Sequence, residues 1–196
     1  MKQLLLICAV AALVGCSPTV EIAEPIVEQA IRYELDKPKG ELTKADLEKV
    51  TKLYLDRNQL TEVPKGLEKL TQLTTLYLDR NQLTEVPKEL EKLTQLEKLW
   101  LDGNKLTDVK GLEKLTQLKY LELDGNQLTS VKGLENLTKL KELWLSDNQL
   151  TDVKGLEKLT KLEELNLVFN PDLTKAQIDE LKKALPKCEI WSNPKK

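Results

Sequence analysis

The stretch LTTLYLDRNQL at residues 73–83 decides the fold, because its pattern LxxLxLxxNxL recurs at a fixed period. Later copies read LEKLWLDGNKL at 96–106, LKYLELDGNQL at 118–128 and LKELWLSDNQL at 140–150. An earlier copy occupies 50–60, and a sixth begins at Leu162 and ends irregularly at 171–173. One asparagine marks each copy, at spacings of 23, 23, 22, 22 and 22 residues: Asn58, Asn81, Asn104, Asn126, Asn148 and Asn170. A period of this length predicts a solenoid, since one repeat cannot bury its apolar side alone.

The Leu-x-Leu triplet inside each copy predicts a short parallel strand with both leucines directed inward, because side chains alternate along a strand. With its asparagine, the repeat resembles the leucine-rich repeat family over residues 40–190. The resemblance implies an α/β solenoid, a right-handed array with a concave parallel sheet and helical caps at both ends. It also implies that each asparagine amide bonds to backbone groups of the turns. The repeats themselves are expected at 53–172.

Two helical caps are predicted around the array, at 23–52 and 173–196. Pro25 suits the first turn of a helix, and Ile26, Ala30 and Tyr33 recur at helical spacing, with Val27, Ile31 and Leu35 widening the stripe. Residues 27–53 resemble the N-terminal cap of bacterial internalin-like proteins. After the array, Thr174 and Gln177 form a capping box. Residues 188–191 are then expected as a final strand or extended cap with Cys188 buried.

The N-terminus carries a second pattern, a lysine followed by an apolar run at 4–14 that is too short to span a bilayer. Leu13-Val14-Gly15-Cys16 resembles the lipobox of bacterial lipoproteins. This predicts a signal peptide at 1–15, an acylated Cys16 as mature N-terminus and a tether at 16–22. Ser17 favours the outer membrane of a Gram-negative cell envelope over retention at the inner membrane. An ordinary signal peptide that ends in cysteine is the alternative.

Composition excludes several classes of function. The chain has no histidine, which removes the usual general base and the commonest transition-metal ligand, so an enzyme is not expected. The net charge of −2 with interspersed signs does not indicate nucleic acid as a partner. No cofactor is expected, and the chain is expected to be a monomer. Stacked carboxylates along one ladder do not converge into a calcium cage, so no metal site is predicted.

Three columns of residues on the outward side of the sheet are the candidate partner-binding positions, on six strands that span roughly 24 Å. The column between the paired leucines reads Tyr54, Tyr77, Trp100, Glu122, Trp144 and Asn166. The next reads Asp56, Asp79, Asp102, Asp124, Ser146 and Val168, and the third begins with Arg57 and Arg80. Exposed aromatic rings are enriched at interfaces, although stacking of the rings along the ladder is also expected to stabilise adjacent strands.

These columns leave two functions open. The first is a lipid-anchored module that binds a protein or peptide through the concave face. The alternative is a glycan or cell-wall binder in which Tyr54, Tyr77 and Trp100 stack on sugar faces. Salt discriminates between them, because binding steered by the Asp and Arg columns weakens as ionic strength rises. A purely structural role would leave the face unused.

Overall fold

The computed structural model describes residues 18–194 of the chain. The predicted signal peptide and Cys16 lie outside this range. Seven three-residue strands pair in parallel and in chain order, each in phase with the next triplet. They are β1 Lys52–Tyr54, β2 Thr75–Tyr77, β3 Lys98–Trp100, β4 Tyr120–Glu122, β5 Glu142–Trp144, β6 Glu164–Asn166 and β7 Glu189–Trp191. The molecule is therefore the predicted solenoid, with one strand more than the six repeat copies indicate.

The side of the solenoid opposite the sheet is built from short 3-10 turns, at Leu67–Lys69, Lys88–Lys92, Leu112–Lys114, Leu134–Asn136 and Leu156–Lys158. Between these turns and the sheet, the leucines of successive repeats stack into one continuous core. Leu76, Leu78, Leu99 and Leu101 are fully buried, as the inward alternation predicts. One face of every strand is thus committed to the core, and the other is available to solvent.

The asparagines tie each repeat to the one before it. The amide of Asn126 donates to the carbonyl oxygens of Leu101 and Leu123, at 3.0 Å each, and its oxygen accepts from the N–H of Leu106 at 3.0 Å. Equivalent bonds hold Asn81, Asn104, Asn148 and Asn170, all of which are buried. Asn58 differs because no repeat precedes it. It is exposed, and its amide donates to the carbonyl of Asp56.

The N-terminal end of the core is covered by α1 Pro25–Glu34 and α2 Lys44–Leu47. The residues of α1 that bury completely are Val27 and Ile31, whereas Tyr33 is 81% exposed. The predicted stripe is therefore confirmed at Val27 and Ile31, and Ile26, Ala30 and Leu35 pack partly buried against the core, whereas the inclusion of Tyr33 is wrong. Val27 and Ile31 are four residues apart and therefore lie on one face of α1, and this face packs against the first repeat beside β1.

The described part of the predicted tether also belongs to this end. Thr19 forms an antiparallel bridge with Thr43, and the N–H of Val20 donates to the carbonyl of Leu42 at 2.7 Å. Ile22 is buried in the core. From residue 18 onward the chain is held against the solenoid, because an apolar side chain and backbone groups find partners there.

The C-terminal end is closed by α3 Lys175–Ala184, which opens with the predicted capping box of Thr174 and Gln177. Beyond it, β7 adds to the sheet beside β6. Cys188, expected to be buried, is only partly so, and burial followed by the charges of Glu164 and Glu189 raises the pKa of its thiol to about 11. Within 18–194, no helix has the length and apolar content needed to cross a bilayer.

Candidate functional site

The outward side of the seven strands, called the concave face here, carries two side chains from each strand. The second position of each pair holds the predicted aromatic column, which continues past Asn166 to Trp191 on β7. The first position forms a parallel column that the repeat motif alone does not single out. It reads Lys52, Thr75, Lys98, Tyr120, Glu142, Glu164 and Glu189. The period of two along a strand is the sequence signal that identifies this missed column.

Four rings form one continuous stack, the aromatic ladder, made of Tyr54, Tyr77, Trp100 and Tyr120. The first two ring centroids lie 4.7 Å apart with planes at 12°, and the next pair lies 4.2 Å apart at 15°. Trp100 and Tyr120 follow at 4.6 Å and 32°. Neighbouring parallel strands lie about 4.8 Å apart, which is close to the centroid separation of packed aromatic rings, so each ring packs against the next. The inner ring faces are consequently covered, and the ring edges are what the stack presents to solvent.

Tyr120 extends the ladder where Glu122 interrupts the predicted aromatic column. Its ring comes from the neighbouring column, leans against Trp100, and directs its hydroxyl to the Glu122 carboxylate as a hydrogen-bond donor. Burial and this hydrogen bond raise the pKa of Tyr120, so the phenol stays protonated. Tyr120 therefore belongs to the aromatic ladder and to the acidic neighbourhood beside it.

A second aromatic pair lies at the far end of the face. Trp144 and Trp191 have ring centroids 5.8 Å apart with planes at 20°, although Asn166 occupies the strand between them. The indole N–H of Trp144 is shielded from solvent and has no acceptor within the described part of the chain. All three tryptophans of the sequence, including Trp100 in the aromatic ladder, thus lie on the concave face.

The predicted aspartate column follows the strands and is partly buried rather than a fully solvated rim. Burial, then the neighbouring charges of Glu122 and Asp79, raises the pKa of Asp102 to about 6. Burial likewise raises the pKa of Asp124 to about 6, against a hydrogen bond that its carboxylate accepts from the Ser146 N–H at 2.6 Å. The pKa of Asp79 is raised by burial and then by Asp56.

Arg57 and Arg80 begin the third predicted column and are exposed. Both have left-handed backbone, with φ of 56° and 52°, because the chain turns sharply after each strand. Gly103 and Gly125 meet the same requirement without a side chain, at φ of 62° and 63°. Phe169 also adopts it, at φ 56° and 63% exposure, which is an unusual combination for a bulky apolar residue.

The concave face offers noncovalent contacts, and its described residues give no basis for a metal centre. Within 18–194, no group of three or more acidic, cysteine or histidine side chains is arranged to hold a metal ion. The aspartates lie one per repeat and share a row instead of converging on a point. Ring edges, tyrosine hydroxyls, carboxylates and guanidinium groups are the chemical groups that this face carries.

Comparison with known proteins agrees with this architecture. The protein-family model described as "Leucine rich repeat" matches residues 48–106 and 71–128, and that described as "Leucine Rich repeats (2 copies)" matches 138–183. No curated protein sequence matches the chain significantly.

Solved structures add three similar molecules. An internalin from Listeria monocytogenes is 26% identical, with a TM-score of 0.69 over 87% of this chain and 55% of its own. A leucine-rich repeat protein from Leptospira interrogans is 37% identical, with a TM-score of 0.68 over 74% of this chain and 38% of its own. Internalin C2 of Listeria monocytogenes, 21% identical with a TM-score of 0.53, shares the fold over 86% of this chain and 93% of its own. The chain thus spans about half the length of the first of these proteins and about two fifths of the second.

Proposed function

This chain is a leucine-rich repeat protein, and we propose that it is a lipid-anchored module that binds a protein or peptide through its concave face. The observation that carries the proposal is the aromatic ladder. Its rings lie on the solvent side of strands whose other side is filled by buried leucine. Aromatic side chains that the core does not require are the usual anchors of a protein interface, because each buries a large area at low entropic cost.

The geometry of the aromatic ladder favours a polypeptide over a glycan. A sugar ring stacks on an open aromatic face, but Tyr77 and Trp100 each have a neighbouring ring on both sides, at 4.2 to 4.7 Å. The outer ring, Tyr54, has the ammonium of Lys52 at 4.9 Å from its centroid. The exposed edges and hydroxyls suit apolar side chains and backbone carbonyls instead, since an aromatic edge carries the positive end of the ring quadrupole.

The test compares capture of envelope proteins by wild type and by the variant Tyr54→Ala/Tyr77→Ala/Trp100→Ala/Trp144→Ala. We expect the variant to keep its circular dichroism spectrum and to lose the captured partner. Among single substitutions, Trp100→Ala is expected to have the largest effect, about 2 kcal/mol or more in binding free energy, because Trp100 is central in the ladder. Tyr33→Ala is the matched control, since that ring is exposed on α1 outside the concave face.

Two results would overturn the concave-face proposal. One is a folded quadruple variant that retains the partner, which would move the binding site to the turns or the opposite side. The other is selective binding of a neutral oligosaccharide that survives high salt and depends on the same rings. In the second case the glycan function would replace the protein-binding one.

Membrane attachment through Cys16 is the other part of the proposal, supported by the sequence at 1–16. Several acyl chains on one terminus anchor a protein far more firmly than a single myristoyl group. Cys16→Ala should abolish acyl labelling and leave either an uncleaved precursor or a form released from membranes. Mass spectrometry that finds an unmodified Cys16 in a mature chain with a different start would end this proposal. The location that we propose is the cell envelope, at the outer membrane if the source is Gram-negative.

A further inference from the structure

Charge is segregated along the concave face. The charged outward side chains on β1 to β3 are the cations Lys52 and Lys98, and the turns after β1 and β2 add Arg57 and Arg80, each of which follows an aspartate. From the end of β3 onward the charged outward positions are acidic through β6. This acidic half comprises Asp102, Glu122, Asp124, Glu142 and Glu164. An extended partner that crosses the strands therefore meets different charge at its two ends.

The acidic half forms no ion pair within residues 18–194. Eight ion pairs occur in that range, and none involves a member of the acidic half. Glu122 accepts from a phenol and Asp124 from a backbone N–H, so both bonds are to neutral donors. Like charges on adjacent strands destabilise a sheet. A cation supplied from outside would remove that repulsion and gain charge-assisted hydrogen bonds.

The acidic half and the aromatic ladder form one continuous surface. Tyr120 joins them, because its ring closes the ladder and its hydroxyl lies on Glu122. Asp102 stands two residues after Trp100, so a carboxylate also borders the central ring of the ladder. A segment with apolar and cationic side chains can contact both parts within about two strand spacings. Arginine suits such a border well, since its guanidinium stacks on rings and pairs with carboxylates.

We infer that the partner of the concave face is a cationic polypeptide segment, whose lysine or arginine side chains bind the acidic half while its apolar side chains cover the ladder edge. The inference rests on the function proposed above and names the chemistry of its ligand. Charge complementarity selects this occupant: a neutral glycan gains nothing from a row of carboxylates, and a nucleic acid backbone is repelled by them.

Tryptophan fluorescence tests the inference directly, because all three tryptophans lie on the concave face. The probes are an octa-arginine peptide, an octa-glutamate peptide and a neutral glucose oligosaccharide, each titrated into the purified protein. We expect octa-arginine alone to bind and to change the emission. The variant Asp102→Asn/Glu122→Gln/Asp124→Asn should weaken its Kd by about tenfold or more, an effect that shrinks as salt is raised.

The matched control is Glu62→Gln/Glu85→Gln/Glu180→Gln, which removes the same charge from exposed side chains outside the concave face. Its Kd should stay within about twofold of wild type. Equal weakening by the two triple variants, with both folded by circular dichroism, would show nonspecific attraction and overturn the inference. Tighter binding of octa-glutamate or of the oligosaccharide would overturn it as well. If the quadruple aromatic variant described above loses its captured partner but octa-arginine fails to bind the wild type, the protein-binding function stands and the charge assignment alone falls.

Discussion

The two sides of the same strands differ in how far their residues repeat. Inward positions are leucine in nearly every repeat and are completely buried, so they are interchangeable parts of one core. Outward positions change from lysine and tyrosine through tryptophan to glutamate along the array. Three consecutive residues of β3 display the contrast, with Lys98 exposed, Leu99 fully buried and Trp100 in the aromatic ladder. Regularity on one side determines the scaffold, while the other side changes in charge and size from strand to strand.

Substitutions on the inward side should lower the free energy of unfolding more than substitutions on the outward side. Leu99→Ala is expected to lower the free energy of unfolding by about 2–5 kcal/mol, because it removes buried apolar surface and leaves a cavity between stacked repeats. Denaturant unfolding followed by far-UV circular dichroism measures the loss. Lys98→Ala in the same strand is the control and should stay within about 0.5 kcal/mol of wild type. Equal effects at the two positions would contradict the division between the sides.

The buried asparagines should come next in magnitude. Asn126→Ala removes bonds to three carbonyl groups and one N–H of the solenoid, and each orphaned buried group costs about 1–3 kcal/mol unless water reaches it. We expect a total loss of about 1–3 kcal/mol in the same unfolding measurement, because water can enter the space that the side chain leaves. Asn58→Ala is the matched control, since that asparagine occupies the same motif position but is exposed. A comparable loss at Asn58 would show that the motif residue acts within its own turn and not between repeats.

This pair of asparagines also marks what the sequence can predict. The period of 22 to 23 residues predicts the solenoid and the inward leucines, because both are repeated, and the resemblance to leucine-rich repeats implies the backbone bonds of each asparagine. The motif does not distinguish Asn58 from Asn126, because it contains no information about whether another repeat precedes the one that carries the asparagine. The seventh strand, Glu189–Trp191, is predictable only as a strand or extended cap because it follows no LxxLxLxxNxL copy.

The concave face is less predictable for a related reason. Its three predicted columns follow fixed motif positions, so they omit Tyr120 although it stands two residues from Glu122 on the same face. The stacking of Tyr120 and the pKa shifts of Asp102 and Asp124 depend on how side chains lean across strands and how deeply they are dehydrated. The stacking of Tyr54, Tyr77 and Trp100 follows from their shared column and is confirmed. The contribution of Tyr120 and the pKa shifts arise from three-dimensional packing, which the repeat pattern does not describe.

The smallest expected effect concerns pH and belongs to the outward side. Burial and neighbouring carboxylates raise the pKa of Asp102 and Asp124 from 3.8 to about 6 in the folded chain, with Arg80 opposing the shift at Asp102. At pH values between these two pKa values, the two aspartates bind more protons in the folded state than in the unfolded state. Stability contributed by the two groups therefore falls as pH rises from about 4 to about 6. Asp46 in the N-terminal cap has the opposite effect on the pH dependence of stability. Hydrogen bonds from Lys37 and Thr43 lower its pKa, so the stability that it contributes is lost only under more acidic conditions.

The double variant Asp102→Asn/Asp124→Asn isolates the outward contribution, because neither amide can ionise and the amide oxygen introduced at position 124 can still accept from the Ser146 N–H. At pH 8 we expect the variant to melt about 1–4 °C above wild type, a shift that corresponds to about 1 kcal/mol or less in a chain of this length. At pH 4, where both aspartates are largely protonated in wild type, the two melting temperatures should converge. Asp46→Asn, the control on the cap, should instead melt below wild type at pH 8. An advantage of the double variant that stays constant from pH 4 to pH 8 would mean that ionisation is not its cause, because only the charged carboxylates repel one another across adjacent strands.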